Sequence, residues 1–379
     1  MTTHGSAPQP DIRRPQAIDA AWLTGALQYA GIDAVVAEFT ARAVGTGQIG
    51  DSIRFALTYA RGGDTAPASL VGKFPSADPS SFNTGVMLGN YEREVMFYRH
   101  LADAALIRTP RCLFTDIAPG SGEFVLLMED LAPAEAGDQL QGVSLDQAGL
   151  VIDEAAKLHA SHWADPSLDD LAWVSGSRAA PASQVNPEMV RQLWTGFRAR
   201  YAVRLQADWI EVGERVSQRY GVLSAARDGP RCLTHNDFRP DNMMFATAAG
   251  GHPVTVLDWQ SFAYGVGATD VAYFLAGALS PELRREHEAA LLDRYLAGLR
   301  AHGVAGYSRD DLDRDYAPGR LPAVHDRLFR RHGGQADVAR RRDVPADAGR
   351  GVTPHHRPRP AGLAELTLRR PARPRPWPL

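Results

Sequence analysis

Cysteine, lysine and long apolar runs are scarce in this chain of 379 residues. Its two cysteines, Cys112 and Cys232, are isolated and fit neither a disulfide framework nor a metal-ligand spacing. No apolar run approaches the roughly 20 residues that a membrane helix needs. The opening segment MTTHGSAPQPDIRRPQ lacks the apolar centre of a signal peptide, which predicts a cytoplasmic protein without a membrane partner. The net charge of -3 gives no electrostatic case for nucleic acid.

The shortage of lysine is the most informative of these features. Of the 41 basic residues only two are lysines, Lys73 and Lys157, and codon bias in a GC-rich gene explains such a drift to arginine. A lysine that persists under this bias indicates a site that needs a compact ammonium rather than a planar guanidinium.

The apolar spacing changes along the chain and predicts three segments. Residues 1–130 read as a small α+β lobe, with a helix over about Asp19 to Phe39, strands in DSIRFALTYA and ASLVGKF, a helix in NYEREVMFYRHL and a strand pair in RCLFTDIAPGSGEFVLLMEDL. Residues 131–316 read as mainly helical, with Ser144 capping the helix of SLDQAGLVIDEAAKLHASHW and with short strands in RCLTHN and PVTVLDW.

The third segment, residues 317–379, contains 14 arginines and 10 prolines but no lysine, isoleucine, tyrosine, asparagine or methionine. A segment with so little apolar periodicity is predicted to be disordered, because it cannot bury enough surface to offset its ordering entropy. A basic nucleic-acid-binding tail and a genuine disordered extension are two interpretations. A frameshift in a GC-rich gene is the favoured third, since the helical pattern stops abruptly near Tyr316.

The strongest chemical signal is LTHNDFRPDNMMF followed by VTVLDWQ. Asp237 and Asn242 lie five residues apart in a polar loop, and Asp258 follows the next apolar strand. Phosphoryl transfer needs a carboxylate that orients the attacking hydroxyl and oxygen ligands for magnesium, and these three side chains supply both. The structural alternative is an Asx-rich turn between two strands.

These segments resemble the kinase-like phosphotransferases, a group that includes aminoglycoside phosphotransferases, choline kinases and ecdysteroid-kinase-like proteins. HNDFRPDNMM resembles their catalytic loop, DWQ their magnesium-binding motif and EDL their hinge. GDQLQGVSLDQA followed by KLHASHW is most similar to the ecdysteroid-kinase-like branch. The resemblance covers about residues 40 to 300. It implies an α+β, two-lobed protein-kinase-like fold, with a small β-rich nucleotide lobe and a larger, mainly helical lobe.

The resemblance also implies roles for single residues. Asp237 is then the catalytic aspartate, and Asn242 and Asp258 are the ligands of Mg²⁺. His235 is expected to support the loop by hydrogen bonding rather than to transfer a proton. Asp270 resembles a recurring aspartate after the metal loop, and we expect it to be the N-cap of the apolar helix that follows.

The segment GTGQIG fits G-x-G-x-x-G with Gly45, Gly47 and Gly50. This pattern is also a dinucleotide fingerprint, but the fingerprint needs a helix immediately afterwards, and SIRFALTYA alternates as a strand. A glycine-rich turn between strands is the kinase arrangement, in which backbone N–H groups cover the phosphates of ATP.

Lys73 lies on the following strand, where a kinase places its phosphate-binding lysine. Its partner should be a carboxylate on the next helix. Glu94 is preferred over Glu92, because its spacing to Phe97 and Tyr98 resembles the E-x-x-F-Y pattern of the family. Glu92 is then a solvated helix residue.

Together these features predict an ATP- and Mg²⁺-dependent phosphotransferase that transfers the γ-phosphate to a hydroxyl of a small-molecule alcohol. Backbone groups of Met128, Glu129 and Leu131 are expected to hydrogen-bond adenine. No APE-like motif follows Asp258, which disfavours a protein kinase. The alternative is a catalytically impaired nucleotide-binding module that lacks its closing C-terminal helices. The sequence determines neither the acceptor nor the oligomeric state.

Overall fold

The computed structural model describes residues 7–45, 49–171, 173–174, 187–223 and 229–316. The predicted tail, residues 317–379, lies outside the described residues, as does Gly47 of the predicted glycine-rich turn.

Helices and strands alternate in the first third of the chain, and helices dominate the remainder. The helices are α1 (Ala20–Tyr29), α2 (Pro79–Met87), α3 (Asn90–His100), α4 (Leu145–Ser161), α5 (Pro187–Tyr201), α6 (Ala207–Leu223), α7 (Ala268–Ala278), α8 (Pro281–Ala301) and α9 (309–316). The strands are β1 (Val35–Val44), β2 (Gly50–Arg61), β3 (Ser69–Pro75), β4 (Cys112–Ile117), β5 (Phe124–Glu129), β6 (Glu135–Ala136), β7 (Cys232–Thr234), β8 (Met243–Thr247), β9 (Gly250–Val256) and β10 (Ala263–Gly265).

The first five strands form one antiparallel sheet in the order β1-β2-β3-β5-β4. Successive side chains of a strand point to opposite faces, and β3 follows this rule. Leu70 and Phe74 are fully buried in an apolar cluster with residues of α1. Lys73 therefore points to the other face of the sheet, where its ammonium meets a side chain of α3.

The predicted helix over Asp19 to Phe39 is correct only in its first part. Asp19 caps α1 by accepting a hydrogen bond from the Trp22 N–H, and the helix ends at Tyr29. Gly31 follows in the left-handed region, with φ of 79°, and the chain then enters β1. The segment VVAEFTARAV becomes a strand because it pairs with β2 along its length, so tertiary pairing outweighs its helical spacing.

Other predicted elements are confirmed. The hairpin β2–β3, helix α3 and the strand pair β4–β5 lie where the apolar spacing places them. Ser144 and Gln147 form a capping box at the start of α4.

The two short strands predicted in residues 131–316 are β7 and β9, but they do not pair with each other. β7 pairs with β10, whereas β9 joins a three-stranded sheet with β8 and β6. Helix α4 packs against α8, β7 and α7, and a continuous aromatic and aliphatic core includes Phe238, Trp259, Phe274 and Tyr295.

The architecture is α+β, with a β-rich part followed by a mainly helical part, as in a two-lobed kinase-like fold. The boundary at residue 130 remains a prediction. Within the described ranges, no helix combines the length and the apolar character needed to cross a membrane.

Candidate active site

Lys73 lies between two carboxylates that are distant in sequence. Its Nζ is 2.7 Å from Oε2 of Glu94 on α3 and 2.7 Å from Oδ1 of Asp258, the residue that follows Leu257 after β9. The Glu94 side chain is only 2% exposed, and that of Lys73 is 14% exposed. The structure thus brings three predicted site residues together at one ammonium group.

Burial and charge act in opposite directions on these groups. Burial alone would lower the pKa of Lys73, but the Asp258 and Glu94 carboxylates outweigh it and hold that pKa above its ordinary value. Burial raises the pKa of Glu94 against the opposing effect of Lys73. Burial would also raise the pKa of Asp258, yet the Lys73 ammonium keeps that pKa below 3.8. Asp258 is therefore ionised at neutral pH.

Asp237 and Asn242 meet directly within the loop between β7 and β8. The Nδ2 group of Asn242 donates to the main-chain carbonyl of Asp237 at 2.8 Å and to its Oδ2 atom at 2.9 Å. Because the amide nitrogen faces Asp237, the Oδ1 atom of Asn242 is left for a cation. Nε of Arg239 lies 3.0 Å from Oδ1 of Asp237, and the same guanidinium donates to Asp241 at 2.8 Å.

His235 supports this loop through both ring nitrogens. Its Nε2 donates to the carbonyl of Leu257 at 2.8 Å, and its Nδ1 accepts from the N–H of Asp237 at 3.2 Å. The ring is fully buried. These contacts give His235 the supporting role expected from the sequence, and they tie the loop to the segment that carries Asp258.

Asp270 is not an N-cap, so that expectation is wrong. Helix α7 begins at Ala268 with Gly267 in the N-cap position, which places Asp270 in its first turn. Its carboxylate instead accepts from the backbone N–H groups of His235 at 2.6 Å and Asn236 at 2.9 Å. A buried backbone N–H such as that of His235 needs an acceptor, and the two oxygens of the Asp270 carboxylate satisfy both N–H groups.

His159 on α4, which lies in the segment KLHASHW, extends this buried network. Its Nε2 lies 3.3 Å from Oδ2 of Asp270, and its Nδ1 lies 2.8 Å from the hydroxyl of Tyr295 on α8. Both His159 and Tyr295 are fully buried. The only sequence signal was a histidine on an otherwise apolar helix face, which does not identify its partners.

Two non-glycine residues beside the site have left-handed backbone angles. Asn236, immediately before Asp237, has φ of 63°, and Asp258 has φ of 65°. Such a conformation costs on the order of 1–3 kcal/mol at a residue with a side chain and persists where surrounding contacts fix it. The hydrogen bond from the Leu257 N–H to the Asn242 carbonyl, at 2.8 Å, is one such contact.

Trp259 links helix α3 to the segment after Asp258. Its ring stacks on Phe97 with centroids 4.0 Å apart and an interplanar angle of 7°. Its indole N–H donates to the Thr109 hydroxyl at 2.9 Å. Such stacking contributes about 0.5–1.5 kcal/mol beyond area burial, so it helps to hold Glu94 and Asp258 around Lys73. The sequence motif DWQ contained Trp259 but did not show its partner.

The predicted glycine-rich turn falls between β1 and β2, and its residues 46–48 lie outside the described residues. Gly45 has φ of 74°, a conformation that favours glycine. A Cβ atom at Gly50 would lie 3.1 Å from the Phe74 carbonyl and 3.4 Å from Cε of Lys73. A larger residue at position 50 would therefore crowd the Phe74 carbonyl and the Lys73 side chain.

The predicted adenine-binding segment is the end of β5 and the residues that follow. Met128 is buried. The N–H of Glu129 donates to the Arg111 carbonyl at 3.0 Å, and the carbonyl of Leu131 accepts from Ala134 at 2.9 Å. A donor to adenine must therefore be an N–H of this segment other than that of Glu129, whereas the Leu131 carbonyl can accept a second hydrogen bond.

Asp130 fixes the same segment to the sheet. Its carboxylate accepts from the Ser69 hydroxyl at 2.6 Å and from the N–H of Ala132 at 3.1 Å, and it pairs with Arg54 at 2.6 Å. Burial would raise the pKa of Asp130, but these three donors together hold it below the ordinary 3.8.

This network predicts a pH-dependent stability contribution. A carboxyl group with a depressed pKa in the folded protein stabilises it above about pH 3.8 and loses that contribution as the pH falls through the folded pKa. Asp130→Asn should therefore lower the urea midpoint at pH 7 and do so less at pH 3. The exposed Asp33, paired with Arg61, is the matched control, and Asp33→Asn should have a smaller effect at pH 7. An Asp130→Asn deficit that stays constant with pH would contradict this assignment.

The fold and the site define a class of protein. A β-rich part that carries a lysine paired with a helix carboxylate, followed by a helical part with an aspartate–asparagine loop, is the arrangement of kinase-like phosphotransferases. The model of one family, described as "Phosphotransferase enzyme family", matches residues 54–312. The chain belongs to this family.

Solved structures with similar folds include two classes of small-molecule kinase. The GDP complex of aminoglycoside 2'-phosphotransferase-IIIa is 14% identical, with 86% of this chain and 94% of that chain covered and a TM-score of 0.46. An ethanolamine kinase from Plasmodium vivax is 10% identical, with 81% of this chain and 82% of that chain covered and a TM-score of 0.44. A choline kinase from Cryptosporidium parvum is 10% identical, with 80% of this chain and 90% of that chain covered and a TM-score of 0.43. No curated protein matches the chain significantly.

Proposed function

We propose that the protein is a small-molecule kinase that transfers the γ-phosphate of ATP to an alcohol hydroxyl. The observation that carries this proposal is the pairing of Lys73 with both Glu94 and Asp258 at 2.7 Å, next to a loop in which Asn242 is bound to Asp237. Phosphoryl transfer depends mainly on positioning and on stabilising negative charge, and these side chains supply both functions.

Asn242 and Asp258 fit Mg²⁺. The main-chain carbonyl of Asn242 accepts a hydrogen bond from the N–H of Leu257, so the segments that carry the two proposed metal ligands are adjacent. One amide oxygen and one carboxylate suffice, because Mg²⁺ completes its shell with phosphate and water oxygens. In the part of the chain that the structure describes, no three His, Cys, Asp or Glu side chains form a metal-binding group. When bound, Mg²⁺ would neutralise charge on the phosphates.

The protein's own residues then have distinct roles. Lys73 binds phosphate oxygens, and Glu94 holds its ammonium in place. The acceptor hydroxyl attacks the γ-phosphorus, the bond to the leaving ADP oxygen breaks, and Asp237 orients the hydroxyl and takes its proton. The glycine-rich turn covers the phosphates, and backbone groups of Met128, Glu129 and Leu131 contact adenine.

Within the family we place the chain nearest the ecdysteroid-kinase-like branch, on the resemblance of the segment after the hinge. The acidic side chains of the hinge do not favour a cationic acceptor. Glu129 is paired with Arg108, and Asp130 is paired with Arg54. Their charges are thus used to fix the hinge, so the proposal includes neutral as well as amine-bearing alcohols.

Thermal unfolding with nucleotide tests the proposed function. The parent protein should be stabilised by ATP only when Mg²⁺ is present, and Asp258→Ala should abolish that shift because a metal ligand is lost. Asp153→Ala is the matched control, since Asp153 pairs with Arg294 on the surface. It should retain the full shift. A cooperatively folded parent that MgATP does not stabilise would refute the assignment.

A further inference from the structure

Helix α7 contacts the catalytic loop at two points on one face. In its first turn, Asp270 accepts from the backbone N–H groups of His235 and Asn236. Three residues later, the hydroxyl of Tyr273 donates to Oδ1 of Asp237 at 3.3 Å. Residues three apart on a helix lie on the same face, so one rigid element holds both the backbone before Asp237 and its carboxylate.

Two other side chains contact this carboxylate: Asn242 donates a hydrogen bond to it, and Arg239 forms an ion pair with it. Asn242 and Arg239 belong to the loop itself and move with it. Tyr273 belongs to a separate helix, so among the described contacts it is the one that fixes the carboxylate relative to the helical core. This external support matters because Asn236, just before Asp237, has a left-handed backbone.

The Tyr273 ring is itself held in place. It is only 8% exposed and packs against Ala276 in a small cluster separate from the main core. A tyrosine has only two side-chain torsions to fix, so a buried ring presents its hydroxyl with little conformational freedom.

We propose that Tyr273 is a positioning residue for the transfer reaction, an inference that rests on the proposed function. Its hydroxyl fixes the Asp237 carboxylate from α7, so that the remaining acceptor sites of that carboxylate face the incoming hydroxyl. Tyr273 acts through Asp237 and has no part in binding the nucleotide, because Lys73 and Asp258 lie on other elements.

The kinetic test uses Tyr273→Phe, which removes one oxygen and keeps the ring. ADP release from MgATP, with water as the acceptor, should show kcat about tenfold lower and an unchanged KM for MgATP. Tyr307→Phe is the matched control. Tyr307 is also 8% exposed, and its hydroxyl donates to Asp315 at 2.9 Å, outside the site. It should hydrolyse MgATP at the parent rate. Equal rates in Tyr273→Phe and the parent would overturn the proposal, as would an equal loss in both tyrosine variants.

A second measurement needs no activity. The Tm of the nucleotide-free protein is measured by thermal unfolding. Tyr273→Phe should lower this Tm more in the parent than in an Asp237→Ala background, because there the hydroxyl has already lost its acceptor. Equal losses in the two backgrounds would overturn the contact and the proposal with it. A parent that shows this coupling but neither binds nor hydrolyses MgATP would instead refute the proposed function, and with it any role for Tyr273 in transfer.

Discussion

Replacing Asp237 with asparagine is expected to lower the rate of phosphoryl transfer by about 10²- to 10⁴-fold while leaving MgATP affinity unchanged. The amide keeps the size of the carboxylate, and with its oxygen towards Asn242 it can still accept the hydrogen bond from that residue. It cannot take a proton from the acceptor hydroxyl. Because Asp237 is not one of the residues around Lys73, the nucleotide site should be intact.

Initial rates of ADP formation with a panel of alcohols, together with calorimetric titration of MgATP, check this prediction. Asp241→Asn is the control from the same loop. Asp241 accepts hydrogen bonds from Arg239 and from the Gln139 N–H and has no assigned role in transfer. It should keep most of the parent rate. A similar loss in both variants would show that loop structure, rather than proton transfer to Asp237, limits the reaction.

Lys73→Met is expected to lower the free energy of unfolding by about 3–5 kcal/mol and to abolish nucleotide binding. The methionine leaves Glu94, which is 2% exposed, without its cationic partner in the interior. Urea unfolding measures the first effect, and calorimetric titration with MgATP measures the second.

A second substitution separates stability from function. Lys73→Met/Glu94→Leu removes the two most buried charges of the cluster and leaves Asp258, whose side chain is 26% exposed to solvent. It should regain most of the lost stability, because an apolar pair replaces the uncompensated Glu94 carboxylate. It should still fail to bind MgATP. Lys157→Met is the matched control, since the chain's other lysine is 35% exposed and its buried partner Glu154 also accepts from the Arg108 N–H at 2.6 Å. It should cost about 1 kcal/mol or less. A double variant as unstable as Lys73→Met would contradict this account.

The sequence was sufficient for features that depend on neighbouring residues. The pattern of ASLVGKF predicted the strand that carries Lys73, and the period of NYEREVMFYRHL predicted α3. The loop that brings Asn242 onto Asp237 spans five residues, so its geometry is largely local. The capping box at Ser144 is likewise a contact across three residues.

The tertiary structure alone decided features that depend on long-range packing. Asp270 was expected to cap α7, but it binds the backbone of the loop between β7 and β8, 34 and 35 residues away. Residues 35–44 form a strand because β2 supplies a partner. The contact of Tyr273 with Asp237 likewise joins two elements. The spacing of residues along the chain indicates which face of a helix or strand a side chain occupies. The partner of that side chain depends on which elements pack against the face, and this packing is set by burial of the whole core.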